Sequence, residues 1–162
     1  MAYSDELTGL SNRRKCDEVV EKLLDGDADF TLISMDLNLL KYYNDTYGHE
    51  KGDALLRSFA SVLREAFPEA LAIARVGGDE FHVVLPDREQ EELREDLTCL
   101  LKCLYEKNEQ NKELHLSTAV GCVQRSEFLD NVDIRMLYQE ADRRMYVHKQ
   151  KMKEKNPELY RR

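Results

Sequence analysis

Hydrophobic positions along the chain fall into alternating helical and strand-like blocks. Over residues 12–24, Cys16, Val19, Val20, Leu23 and Leu24 recur at helical spacing, and Asp25-Gly26-Asp27 marks the stop. Phe30 to Leu37 is a short apolar run without Gly or Pro, which predicts a buried strand carrying a carboxylate, Asp36, near its C-terminal end. A polar, partly helical turn is expected through Lys41, Asn44 and Asp45 to Gly48-His49. An amphipathic helix then carries Leu55, Leu56, Phe59, Val62, Leu63 and Phe67 and stops at Pro68.

Ala72 to Val76 and Phe81 to Leu85 are two further apolar runs, joined by Gly77-Gly78-Asp79-Glu80. This is a hairpin pattern in which the glycine pair is expected to supply positive φ. Leu93, Leu97, Leu100 and Leu104 predict a long helix starting near Glu89, and Leu114 to Val123 reads as another strand. A last helix carries Ile134, Leu137, Ala141 and Met145 and runs into Lys149, Lys151, Lys153 and Lys155, cations that suit the negative end of the helix dipole. The order is α-β-α-α-β-β-α-β-α, without internal repeat or linker. It predicts one α/β (α+β) domain over residues 1–162, built on a mixed, mainly antiparallel sheet flanked by helices.

Composition narrows the function classes. Hydrophobic residues make up 42% and charged residues 35%, enough for a core and a solvated surface, which argues against disorder. Thirty-two acids against 24 Lys+Arg give a net charge of −8. That balance does not suit a protein wrapping a nucleic-acid polymer, which needs an extended basic face. No apolar run approaches the ~18–20 residues of a membrane helix and no signal peptide opens the chain, so a cytoplasmic location without direct membrane contact is expected. Cys16, Cys99, Cys103 and Cys122 form no zinc or redox spacing and read as reduced, structural thiols; the four histidines are scattered.

Two carboxylate positions carry the candidate chemistry. Asp36 ends a buried strand, where a charge is unfavourable unless it meets a metal or a donor. Asp79 and Glu80 follow two glycines that allow a ligand to approach the backbone. If strand 30–37 pairs beside the hairpin, Asp36 and Asp79 converge at one sheet edge. With a lysine nearby, they would then suit a hard divalent cation and a nucleoside triphosphate. From spacing alone, a turn Asp and a helix-capping Asp account for the same residues.

Longer motifs add to this reading. Arg75-Val76-Gly77-Gly78-Asp79-Glu80-Phe81 contains the sequence that names the GGDEF family of diguanylate cyclases. Asp5-Glu6-Leu7-Thr8-Gly9-Leu10-Ser11-Asn12-Arg13-Arg14 resembles the family's opening segment. Asp36 to His49, continuing to Gly52-Asp53, resembles its metal and guanine block. Ala141-Asp142-Arg143-Arg144-Met145-Tyr146 through Lys149 resembles its closing helix, so the likeness runs from Asp5 to about Lys153. The resemblance implies a fold like the class III nucleotide cyclase core and the condensation of two GTP into cyclic di-GMP with release of pyrophosphate. The two half-sites would come from two copies of the domain.

By the same resemblance, Asp36, Asp79 and the carbonyl of Leu37 hold Mg²⁺ or Mn²⁺, two ions per GTP site. Glu80 is a neighbouring acid with metal or base duty. Asn44 and Asp53 read guanine; Asp53 can accept from N1–H and the exocyclic amine, which adenine does not offer as a pair. Lys41, Lys149 and Lys153 contact phosphates, and Gly77 and Gly78 line the substrate. Lys153 stands where the family often has Arg, so a point charge replaces a bidentate fork.

Three departures qualify the resemblance. Asn38 replaces the second Asp of a D-x-D pair, Leu39 a residue that is often aromatic, and Met152 a Gly. They keep open a second reading, a GTP-binding regulatory module without cyclase activity. The family's inhibitory product site is an Arg-x-x-Asp whose Arg lies nine residues before the first Gly of the motif; here those positions are Pro68 and Leu71, which supply neither charge. The fit of the chain's ends to the motifs suggests a domain cut from a longer signalling protein with a sensor upstream.

Overall fold

The computed structural model describes residues 2–160. Strands β1 (Thr31–Leu37), β2 (Ala72–Arg75), β3 (Glu80–Leu85) and β4 (Thr118–Gln124) form one sheet in the order β2-β3-β1-β4. Every strand pairing is antiparallel, so the expected mixed sheet is an antiparallel one; an isolated bridge from Ser11 to Ala74 is parallel. The helices are α1 (Arg13–Asp25), α2 (Leu40–Tyr47), α3 (His49–Ala66), α4 (Gln90–Gln110), α5 (Ile134–Lys155) and the short α6 (Pro157–Tyr160). Three of the longer helices begin on side-chain caps: Asn12 accepts from the Lys15 amide at 3.0 Å, Glu89 and Glu92 form a reciprocal box at the start of α4, and Asp133 accepts from the Met136 amide at 2.8 Å at the start of α5.

All seven residues of β1 are buried, because helices cover both of its faces. Ile33, Met35 and Leu37 pack into a core with Leu55, Phe59 and Leu63 of α3 and Leu100 and Leu104 of α4. Leu32 packs on the other side with Cys16 and Val20 of α1 and Leu137 and Ala141 of α5. That second face turns polar along the strand. Leu32 lies in the core, the Ser34 hydroxyl donates to Asp142 at 2.6 Å, and Asp36 meets Lys149 of α5.

Gly121 of β4 sets how closely α5 lies on the sheet. A Cβ there would overlap the Ala141 carbonyl and the Met145 nitrogen and stand 2.9 Å from the Arg144 carbonyl carbon, so only hydrogen allows the crossing. The crossing carries the C-terminal half of α5 over the end of β1.

Two sequence expectations change. Residues 114–117 lie outside β4; their polar backbone groups go instead to side chains, with Asn108 bonding both the amide (2.8 Å) and the carbonyl (2.9 Å) of Leu116 and the Tyr43 hydroxyl accepting from the His115 amide at 2.9 Å. Gly77 and Gly78 do not take positive φ; the glycines that do are Gly9 and Gly48. The β2–β3 connection is longer than a two-residue turn and is closed by the amides of Val76 (2.8 Å) and Gly77 (3.3 Å), both on the Glu80 carbonyl. From outside, Arg75 Nε donates to the Gly78 carbonyl (3.0 Å) and Arg13 Nε to the Val76 carbonyl (3.1 Å).

Candidate active site

Asp36 and Asp79 do come together, at the end of the two central strands rather than at a lateral edge of the sheet. The Leu37 amide donates to the Asp79 carbonyl at 2.8 Å, and Asp36 stands opposite Glu80 in the β1–β3 register. Lys149 closes the site from above with a direct ion pair to Asp36 Oδ2. Asp36 therefore does not cap a helix: α2 starts on Leu39, without a side-chain cap. The other carboxylate oxygen, Asp36 Oδ1, is buried with no hydrogen-bond donor. Burial pushes the Asp79 carboxyl up to about 6, the adjacent Asp36 carboxylate pushes in the same direction, and Lys149 pulls less strongly the other way.

Two carboxyl groups lie against each other here beside one ammonium, which is paired with Asp36, and the buried Asp36 Oδ1 has no hydrogen-bond donor. Hard oxygen donors in that state suit a hard divalent cation. Among the described residues no three His, Cys, Asp or Glu side chains converge, so such an ion would complete its shell from backbone, water or substrate oxygens, as Mg²⁺ commonly does. Leu37 is the last residue of β1, its side chain buried in the α3 layer; Thr118, opposite it, donates from Oγ1 to the Asp36 carbonyl at 3.0 Å. Glu80 is exposed at the start of β3, and its carboxylate folds over Gly77, 3.2 Å from where a Cβ would stand. Gly78 faces open space.

Asn44 and Asp53 form a second cluster, at the junction of α2 and α3. Both are half-buried, and the chain reverses between them at Gly48, with φ 94°. The Asn44 side chain lies directly on Gly52: a Cβ there would overlap its Oδ1 and stand 2.7 Å from its Cγ. The remaining candidates are not gathered in. Lys41 is on the surface in an ion pair with Asp45 at 3.2 Å, and Lys153 is exposed in the last turn of α5, one turn beyond Lys149.

Some participants gave no signal, or only a partial one, in the sequence. Ser34 is unremarkable until the fold pairs it with Asp142, which the sequence showed only as part of the closing-helix motif. Ser117 lies in the segment expected to be strand and instead accepts at Oγ from the Asn38 amide group (3.1 Å) and the Tyr160 hydroxyl (3.1 Å). Leu39 holds a left-handed conformation, φ 69°, a strained one for a residue with a Cβ, immediately after the metal-type block begins. A separate cavity of about 500 Å³ lies at the other end of β1, lined by Asp27, Asp29, Arg125 and residues 128–132. Its arginine is fully engaged in closing the end of α1, donating to the carbonyls of Leu23, Leu24, Gly26 and Ala28.

Comparison with known proteins places the chain in a family. The family described as "Diguanylate cyclase, GGDEF domain" matches residues 2–155. A probable diguanylate cyclase of Escherichia coli K12, DgcJ, is 28% identical over 155 residues, covering 91% of this chain and 29% of the relative. An uncharacterized protein of Streptomyces griseus from the hutH 5′ region is 49% identical over 88 residues, half of this chain and 36% of the relative. The chain thus spans about a third of the length of these relatives. Among solved structures, the coiled coil and GGDEF domain of DgcB from Caulobacter crescentus, in complex with c-di-GMP, superposes with a TM-score of 0.74 at 25% identity, covering 93% of this chain and 82% of that one.

Proposed function

The chain belongs to the GGDEF domain family, and on that premise we propose that it condenses two molecules of GTP into cyclic di-GMP, releasing pyrophosphate. The observation that carries this reading is the Asp36–Asp79 pair, with its unpartnered buried oxygen, held under Lys149 at the end of the central strands. Family membership implies dependence on a divalent metal. We assign the binding to Asp36, Asp79 and the Leu37 carbonyl, and the ions to Mg²⁺ or Mn²⁺, two per site. When bound, they supply positive charge to the α-phosphate and the departing pyrophosphate.

The residues of the chain do the rest. Asp53 accepts from guanine N1–H and the exocyclic amine while the Asn44 amide donates to the opposite edge, which selects guanine over adenine. Lys149, which neutralises Asp36 in the free chain, turns to the triphosphate together with Lys153, and Lys41 leaves its surface ion pair with Asp45 to join them. Gly77 and Gly78 line the substrate, Gly78 facing open space and Gly77 lying under the Glu80 carboxylate. In each of two equivalent steps a 3′-hydroxyl attacks the α-phosphate of the other GTP, a phosphodiester bond forms and the bond to pyrophosphate breaks. Glu80 is assigned the neighbouring-acid role, as metal ligand or as the base that takes the hydroxyl proton.

Because one chain has one such set of residues, a second copy supplies the partner half-site. The length of the relatives supports a sensor segment elsewhere in the full protein, and the substrate argues for a cytoplasmic reaction. No helix of the described residues is long and apolar enough to cross a membrane. Incubation with GTP and Mg²⁺ followed by chromatography tests the activity. Cyclic di-GMP and pyrophosphate are expected; tight GTP binding without either product would assign the chain to a regulatory role instead.

A further inference from the structure

Two of the positions at which the chain departs from its family's pattern touch each other. Asn38 is buried, and its amide group donates to Ser117 Oγ at 3.1 Å and to Met152 Sδ at 3.7 Å, while its backbone amide donates to the Ser117 carbonyl at 3.0 Å. The side-chain amide has two hydrogens, and these two acceptors use both. A carboxylate at position 38 would have nothing to offer a thioether, and a glycine at 152 would leave the amide with one acceptor. The exchange of acid and glycine for amide and thioether is therefore one matched change.

A third residue, Tyr160, reaches the same hydroxyl. Its Oη donates to Ser117 Oγ at 3.1 Å, and its amide bonds the Asn156 carbonyl at 3.2 Å, which turns α6 back from the end of α5. The anchors bracket the basic end of α5: Met152 lies between Lys149 and Lys153, and Tyr160 lies beyond them. A lysine on a free helix end keeps its rotamer entropy and frays with its turn. Where a bidentate arginine is replaced by Lys153, the geometry of the backbone carries more of the task of aiming the charge.

We propose that Met152 and Tyr160 are positioning residues. By clasping Asn38 and Ser117 they hold the last turns of α5 against the end of β1, so that Lys153 lies along the triphosphate of the bound nucleotide. This rests on the nucleotide reading given above. The clasp uses Tyr160, beyond residue 155 where the family match ends, so it belongs to this chain and not to the motif.

The test uses the full chain, Mg²⁺ and 3′-deoxy-GTP, which lacks the attacking hydroxyl, so that calorimetry reads binding without turnover. Tyr160→Phe keeps the ring and removes one hydrogen bond, and is expected to weaken binding about threefold to tenfold. In a Lys153→Gln background the same substitution is expected to have no further effect, because the residue acts through that lysine. Met152→Ala is expected to behave as Tyr160→Phe does. Unchanged affinity in Tyr160→Phe, or an effect that simply adds to that of Lys153→Gln, would overturn the proposal while leaving the nucleotide site standing. Absence of binding by the unaltered chain would overturn both.

Discussion

At the scale of single residues, the site is written in charge and burial. Asp79 binds a proton more tightly folded than unfolded, since burial and Asp36 raise its carboxyl from the ordinary 3.8 to about 6. Its contribution to stability therefore rises as pH falls through about 6 and is complete below 3.8. His82 works in the opposite sense. Burial against Cys16 and the Tyr138 ring lowers it from 6.5 to about 4, so its contribution is intact above 6.5 and is lost as pH falls toward 4. The two offset each other in the unaltered protein, and Asp79→Asn separates them. That variant is expected to be more stable than the parent at pH 7 in the presence of chelator, with the advantage shrinking between pH 7 and 5; urea midpoints measured across that range check it. Added Mg²⁺ is expected to stabilise the parent and not the variant. Asp36 and Asp79 stood out in the sequence as an acid inside an apolar run and an acid after two glycines in a hairpin, but spacing alone fitted a capping Asp and a turn Asp as well, and the resemblance of the motif blocks decided between the readings. The conformation of Gly77 and Gly78 was not legible, because a four-residue connection places different demands on φ from the two-residue turn that a glycine pair suggests. Nor was Tyr160, whose partner lies 43 residues away and is reached only through the fold.

At the scale of elements, two glycines fix relations that hydrophobic periodicity cannot specify. The pattern located α5 and β4 to within a few residues, yet gave no measure of how closely they approach. Gly121 supplies it, and what a Cβ would meet there is helix backbone, which cannot turn aside. Gly121→Ala is expected to destabilise the fold by about 1–3 kcal/mol or more, the usual range for overpacking, and to lift Lys149 away from Asp36. A lowered denaturation midpoint together with weaker nucleotide binding would be its signature. Gly52 is the contrasting case, because its obstacle is the end of the Asn44 side chain, which can move. Gly52→Ala removes a flexible residue from the interior of α3, where alanine is favoured by about 1 kcal/mol, so stability is expected to hold or rise. The displaced Asn44 would then lose its aim, and discrimination of GTP over ATP is expected to fall about tenfold. Competition binding with the two nucleotides measures it, and unchanged selectivity in a folded Gly52→Ala would place guanine elsewhere. Residues 114–117 misled the pattern because their alternation is that of a strand, while side chains of α2 and α4 take the bonds a neighbouring strand would have taken.

At the scale of the whole molecule, the chain carries one Asp36–Asp79 pair and one Asn44–Asp53 cluster, the proposed base reader, whereas the proposed reaction needs two nucleotides held face to face. Activity is therefore expected to rise faster than in proportion to protein concentration in dilute solution, since each encounter assembles a reaction centre that neither copy holds alone. Strict proportionality over a wide dilution series, with a monomer by light scattering, would contradict the two-half-site arrangement. Control by product is expected to be absent at the place where the family's inhibitory motif would stand. Leu71 is exposed there, and Pro68 opens onto a pocket of about 350 Å³ lined by Glu69, Arg88, Glu92, Glu95 and Asp96. The guanidinium of that one arginine is already engaged, by Glu69 at 2.5 Å, Asp96 at 3.2 Å and Glu92 at 3.4 Å. Cyclic di-GMP brings two phosphodiester charges, and in this pocket it would meet four carboxylates around one cation already in use. Like charges so placed repel, and no free cation among the lining residues offsets them. Cyclic di-GMP is accordingly expected to inhibit only where GTP binds. Initial rates across a matrix of GTP and cyclic di-GMP concentrations should fit competition alone, with inhibition relieved by excess substrate. A micromolar inhibition that saturating GTP leaves intact would show that a second product site exists despite Pro68 and Leu71.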